Sequence, residues 1–309
     1  MKELTIPLKN IFFEIVGKCN AKCTYCVTGN GTQTGTFVYV KKFKETIKSL
    51  YDRNIANMDT NFYLYNWGEP FLHPHFNEIV TFLSDSNIKF SLSSNLSVMP
   101  KNIDSHSFNS LQNLTISMPG FSQNSYSRIH GFNFEKILEN ISKLSKIIPV
   151  EKMQVAYHLY QFNISEIRVA QAYFKNKNIK IFSSFAFFND FDMGTNYLKN
   201  SLPIKDMNKA GKELLLFYVD DLLDKMPQDY SCPQFKHMNI DENCNVIHCC
   251  GAPKSSKDYL VGEACSFDIN KLNRRNQSAI CKECYETKFV YWVHNPGKIS
   301  TEFMHGILK

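Results

Sequence analysis

Residues 11–26 read IFFEIVGKCNAKCTYC, an apolar run closed by Gly17 and followed at once by cysteines at 19, 23 and 26. Ile11–Ile15 is β-branched and aromatic, which predicts a strand. The thiols fall on the loop after it, spaced C-x3-C-x2-C. Three thiolates this close suit three corners of a cubane [4Fe–4S] cluster. Ordinary electron-carrying clusters use four, so three leave one iron open to another ligand, much as catalytic zinc keeps an open position. A zinc knuckle is the competing reading, but structural zinc takes four protein ligands, and His73 and His75 lie beyond the next strand.

Outward from this stretch, strand and helix signals alternate. Strands are predicted at Ile11–Ile15, Asn61–Asn66, Ile88–Ser94, Leu114–Met118, Met153–Tyr160 and Ile179–Phe187. Helices fall over residues 40–53, His75–Ser86, Phe134–Ile148 and Ser165–Phe174. Ile137, Leu138, Ile141 and Leu144 keep helical register in the third of these. Repeated strand–helix units imply parallel strands with right-handed crossovers. Six such units predict an α/β fold, a partial (β/α)6 barrel with its site on the loops after the strand C-termini. Beyond residue 190 the pattern changes. Glu213–Asp224 (ELLLFYVDDLLD) reads as one amphipathic helix within a bridge over 191–231. Phe182, Phe185, Phe187 and Phe188 read as packing residues.

Composition narrows the class. Thirty-five basic residues against 29 acidic give +6, and Lys41, Lys42, Lys44 and Lys48 share a helical segment with Phe43, Ile47 and Leu50, a solvated face. No basic stripe points to a nucleic-acid partner. The opening MKELTIPLKN lacks the apolar core of a signal peptide, and no run approaches the roughly 18 apolar residues of a membrane span. The expectation is a cytoplasmic chain without a membrane partner. In a reducing compartment ten cysteines point to metal or cluster ligation, not a disulfide framework. They are unevenly spread, three within 19–26 and seven within 232–284, which predicts two inorganic sites.

C-x3-C-x-aromatic-C after a first strand, with Tyr25 in the aromatic slot, resembles the signature of the radical S-adenosylmethionine (SAM) superfamily. The resemblance implies that Cys19, Cys23 and Cys26 hold a [4Fe–4S] cluster whose open iron chelates SAM. An electron from an external one-electron reductant, such as a flavodoxin or ferredoxin, then yields a 5′-deoxyadenosyl radical. Asn66-Trp67-Gly68-Glu69-Pro70 resembles the family's Gly-Gly-Glu-Pro motif, with Trp67 in place of the first Gly, and implies SAM contacts at Gly68, Glu69 and Pro70. Ser94, Asn95, Ser117 and Arg128 fall where relatives carry polar SAM-binding residues, and His158 and Tyr160 end strand five facing a substrate.

Cys232, Cys244, Cys249, Cys250, Cys281 and Cys284 resemble the shortened SPASM, or twitch, unit that follows many radical SAM cores. The resemblance implies one auxiliary [4Fe–4S] cluster on Cys232, Cys249, Cys281 and Cys284. Cys244 stands where relatives have Gly, and Cys249 and Cys250 are interchangeable as ligands. A zinc ribbon is the alternative. The implied organisation is a radical SAM core over 1–190, the helical bridge over 191–231 and the SPASM/twitch-like unit over 232–309. Cys250 then reads as a hydrogen-atom donor, as in some epimerases of the family. The expected reaction is hydrogen abstraction from a small sugar- or cyclitol-like molecule, giving epimerisation or two-electron oxidation. A peptide substrate is less favoured, since strand one begins near residue 11 and leaves no fused recognition domain. A non-catalytic iron–sulfur or zinc module is the reading from another class.

Overall fold

The computed structural model describes residues 4–29, 33–297, 300 and 303. Its strands are β1 (Asn10–Phe13), β2 (Asn61–Tyr63), β3 (Phe90–Ser94), β4 (Leu111–Met118), β5 (Met153–Leu159), β6 (Lys180–Phe185), β7 (Met238–Ile240), β8 (Asn245–Ile247) and β9 (Leu260–Glu263). The helices are α1 (Val40–Asp52), α2 (Phe76–Asp85), α3 (Gln123–Ile129), α4 (Phe134–Leu144), α5 (Ile167–Asn176), α6 (Phe191–Leu198), α7 (Ile204–Glu213), α8 (Val219–Asp224), α9 (Ala279–Glu286) and α10 (Phe289–His294).

One nine-stranded sheet runs β6-β5-β4-β3-β2-β1-β7-β8-β9. The first six strands are all parallel, as the alternating strand–helix pattern predicts. Their two faces differ because side chains alternate along each strand. Phe13, Phe62, Leu92, Ile116 and Val155 are fully buried on one face. The other carries a polar ladder: Asn61 Nδ2 and Asn113 Nδ2 donate to Ser91 Oγ, at 2.9 and 3.2 Å, and Gln154 Nε2 donates to Thr115 Oγ1 at 2.9 Å. A buried polar face of this kind requires mutual pairing.

The C-terminal stretch continues the same sheet. β7 pairs in parallel with β1, with Ile11 opposite Met238 and Phe13 opposite Ile240, and β8 and β9 follow antiparallel. Phe185 and Phe188 are core residues, whereas Phe182, on the edge strand β6, is 46% exposed. Packing therefore does not account for Phe182. No helix among the described residues is long and apolar enough to cross a membrane.

One predicted element is corrected. Glu213–Asp224 is not a single helix: α7 ends at Glu213, Leu214 turns extended (ψ 146°), and α8 starts only at Val219. The cause is tertiary. Gln161 Nε2 donates to the carbonyls of Gly211 (2.8 Å) and Leu214 (2.7 Å), taking acceptors that the next helical turn would need.

Candidate active site

The loop after β1 is braced by backbone, not by regular structure. Asn66–Pro70 packs so tightly beneath it that a Cβ on Gly68 would lie 1.7 Å from the Val16 carbonyl oxygen, so the close approach requires glycine. Glu69 N donates to Lys18 O at 2.9 Å. Glu14, which follows β1, accepts from Trp67 N at 2.7 Å and Gly68 N at 2.5 Å. Burial lifts its carboxyl to about 7 despite these bonds. Glu69 is likewise lifted to about 7 by burial, and its two oxygens accept from Phe71 N, Ser94 Oγ and Asn95 N.

Cys19, Cys23 and Cys26 line one cavity of about 140 Å³ together with Gly68, Glu69, Ser94, Asn95 and Ser117. Burial pushes the Cys19 thiol up to about 11 and raises Cys23 further. Cys19 Sγ accepts from Ala21 N at 3.4 Å and from Asn95 Nδ2 at 3.6 Å, contacts that would tune a bound cluster. Among the described residues no three Cys, His, Asp or Glu side chains converge on a point that could hold a single metal ion. The three thiols frame a space, which is what a cage with one thiolate per iron requires.

Two residues that sequence reasoning missed share this cavity. Both amide atoms of Asn66 and Nδ1 of His130 are buried without a hydrogen-bond partner among the described residues. Burial, with the neighbouring His158, lowers His130 to about 3, so it is neutral at pH 7. Buried polar atoms without partners require a ligand or water, and an amide with a neutral imidazole fits the hydrogen-bonding groups of a nucleoside. Asn66 opens the Asn66–Pro70 stretch but the spacing assigns it no role, and nothing marks His130, because their orphan state exists only in the fold.

Tyr25, Pro70 and Arg128 stand outside the lining of that cavity. Tyr25 Oη donates to Glu213 Oε2 at 2.7 Å, and Arg128 Nε and Nη2 both donate to Glu213 Oε1 at 3.2 Å. The Arg128 guanidinium also lies 4.2 Å from the Phe162 ring centroid. These residues tie the Cys loop to α7. Pro70 is buried at the start of a 3-10 turn. His158 Nε2 lies 3.2 Å from Ser117 Oγ, and Tyr160 is buried.

A second cavity is framed by Cys232, Cys249, Cys281 and Cys284, with Cys250, His248 and Arg275. Cys281 and Cys284 are one turn apart on α9, and Ser278 caps that helix by accepting from Cys281 N at 3.1 Å. His248 Nε2 approaches Cys281 Sγ at 3.2 Å. Cys244 lies in the turn between β7 and β8, fully buried at φ 64°, the left-handed region that favours glycine. Cys265 packs beside Thr46 of α1, Sγ to Oγ1 3.6 Å.

Between these two lies a third cavity of about 210 Å³, walled by Glu14, Trp67, Asp190, Asp192, Cys250 and Lys254. Cys250 borders this space and the second thiol set alike. Burial lifts its thiol to about 12, so it keeps its proton. Trp67 Nε1 donates to Cys250 O at 2.6 Å and joins the two halves.

A family model described as the radical SAM superfamily matches residues 13–171. The curated Bacillus subtilis (strain 168) antilisterial bacteriocin subtilosin biosynthesis protein AlbA is 28% identical over 99 residues, 32% of this chain and 21% of that protein. The chain thus matches about a fifth of that relative's length. The fold is similar to native anSMEcpe with bound AdoMet (TM-score 0.56, 17% identity, covering 89% of this chain and 82% of that one). It is also similar to Streptococcus suis SuiB bound to precursor peptide SuiA (TM-score 0.57, 12% identity, 89% and 66%).

Proposed function

Given that the chain belongs to the radical SAM superfamily, we propose that Cys19, Cys23 and Cys26 hold its [4Fe–4S] cluster and that the chain epimerises a carbon centre of a small polar substrate. When bound, the cluster and SAM would supply a 5′-deoxyadenosyl radical able to take a hydrogen atom from a substrate C–H bond. Glu69, Ser94, Asn95 and Ser117 line the cofactor cavity, as do Asn66 and His130. The substrate occupies the neighbouring cavity, whose Glu14, Asp190, Asp192 and Lys254 suit a hydroxylated, sugar- or cyclitol-like molecule.

Cys250 carries this reading, because it borders both the substrate cavity and the second thiol set. Its thiol returns a hydrogen atom to the substrate carbon from the far side. The S–H bond breaks as the new C–H bond forms, leaving a sulfur radical on Cys250. One electron from the external reductant and one proton from solvent restore the thiol. Cys232, Cys249, Cys281 and Cys284 form a SPASM/twitch-type unit over 232–309 with an auxiliary [4Fe–4S] cluster beside Cys250, joined by the bridge over 191–231 to the core over 1–190.

A peptide side chain is the second reading for the same cavity. The bacteriocin biosynthesis relative favours it, and the SuiB complex holds a precursor peptide on a similar fold.

The test is turnover of a candidate sugar, cyclitol or peptide in deuterated buffer with SAM and dithionite. Epimerisation by Cys250 places solvent deuterium at the inverted carbon. Cys250→Ala then loses that label while 5′-deoxyadenosine still forms. A deuterium-free product two electrons more oxidised defeats the epimerase reading in favour of dehydrogenation.

A further inference from the structure

Arg275 is 4% exposed. Its guanidinium donates to three carbonyl oxygens, of Leu272 (3.1 Å), His248 (3.1 Å) and Gln234 (2.9 Å), and stands 5.8 Å from the Phe235 ring centroid. None of these partners carries charge. Among the described residues no carboxylate pairs with it, and it lines the cavity framed by Cys232, Cys249, Cys281 and Cys284. Carbonyl dipoles offset part of the loss of water. A buried guanidinium nevertheless calls for an anion, since unpaired charge is costly in a low-dielectric interior. Arginine also cannot escape by losing its proton. Neutral thiols would leave the charge unanswered. Four thiolates around a metal centre would answer it.

We infer that Arg275 is the built-in counter-charge of an anionic metal–thiolate centre on Cys232, Cys249, Cys281 and Cys284, and that it raises that centre's reduction potential. The inference rests on the second-cluster reading above. Its physical basis is simple. Reduction by the external one-electron donor adds a negative charge to the centre, and a fixed positive charge beside it favours the more negative state. Arg275 acts through the cluster, so it is a positioning residue and not a catalytic one. Its three carbonyl bonds join residues before β7, after β8 and within its own turn, which fixes the charge in the wall of the cavity that the thiols frame.

The experiment compares the full chain with Arg275→Leu and Arg275→Lys, each loaded anaerobically with iron and sulfide. Iron is counted, and the midpoint potential of each cluster is followed by EPR. Wild type should hold about eight iron atoms, four per cluster. Arg275→Leu should shift the second cluster to a more negative potential and leave the first unmoved. Arg275→Lys keeps the charge and should stay near wild type. Equal shifts in both variants, or no shift in Arg275→Leu, would overturn the counter-charge role. Should Arg275→Leu lose the second cluster outright, retention by Arg275→Lys supports the role and equal loss overturns it. Wild type holding only about four iron atoms would sink the second-cluster reading itself. A failure of Arg275 with about eight iron atoms present leaves that reading intact.

Discussion

At the scale of single residues, Glu14 carries a pH dependence that can be worked out. Its carboxyl is lifted from the usual 4.5 to about 7, chiefly by burial. Below pH 4.5 the folded and unfolded chains are both protonated there. Between 4.5 and 7 the unfolded chain releases the proton and the folded chain keeps it, so stability falls as pH rises. Above 7 the loss is complete. A displacement from 4.5 to about 7 corresponds to on the order of 3 kcal/mol. Glu14→Gln retains a carbonyl to accept from Trp67 N and Gly68 N. The variant should therefore match wild type below pH 4.5 and exceed it by up to about 3 kcal/mol at pH 8, read by chemical denaturation of the metal-free chain. Equal stabilities at pH 8 would show that Glu14 ionises there without penalty. Nothing in the sequence marks this residue beyond a Glu closing an apolar strand. Its partners stand 53 and 54 positions away, and only the fold joins them. The grouping of Cys19, Cys23 and Cys26 was legible for the opposite reason, since their spacing is local and lies on one loop.

At the scale of elements, what is local reads well. α4 has its apolar stripe of Ile137, Ile141 and Leu144 buried, and Asn133 caps it by accepting from Lys136 N at 2.8 Å. The parallel strands followed from the same alternation. What failed was the end of α7, because Gln161 takes its last carbonyls and Glu213 is held by Tyr25 and Arg128. Sequence periodicity sees neither. The break has a purpose in the architecture: it points Glu213 at the loop that carries Cys23 and Cys26. Tyr25 and Glu213 are 4% and 8% exposed. Glu213→Ala would strand the buried Tyr25 hydroxyl and release the exposed Arg128 guanidinium to solvent, at about 1–3 kcal/mol. A lower melting temperature and faster iron loss from the first cluster are expected together, measured by circular dichroism and by iron release to a chelator. Unchanged iron retention in a destabilised variant would confine Glu213 to holding α7.

At the scale of the whole molecule, the two thiol sets are separate in sequence yet share one sheet. β7 lies beside β1, so the C-terminal unit is hydrogen-bonded to the strand that launches the first Cys loop. Trp67 and Cys250 then meet across the cavity between the sets. Uneven cysteine spacing predicted two sites, but not that they would flank a common space, because that depends on β7 returning to β1 from more than 200 residues away. Two sites that share a sheet but no ligands should lose metal independently. Cys23→Ala should leave about four of eight iron atoms and abolish SAM cleavage, because the cluster that binds SAM is incomplete. Cys281→Ala should also leave about four, yet 5′-deoxyadenosine should still form, since the first cavity is untouched. On the proposed role of Cys250, what Cys281→Ala should lose is repeated turnover, because the sulfur radical left after the first product would have no centre beside it to supply an electron. Iron analysis, SAM cleavage and product formation on the same three preparations separate these outcomes. Equal loss of SAM cleavage in both variants would mean that the thiol sets act as one site, and the division of labour argued from the sheet would not hold.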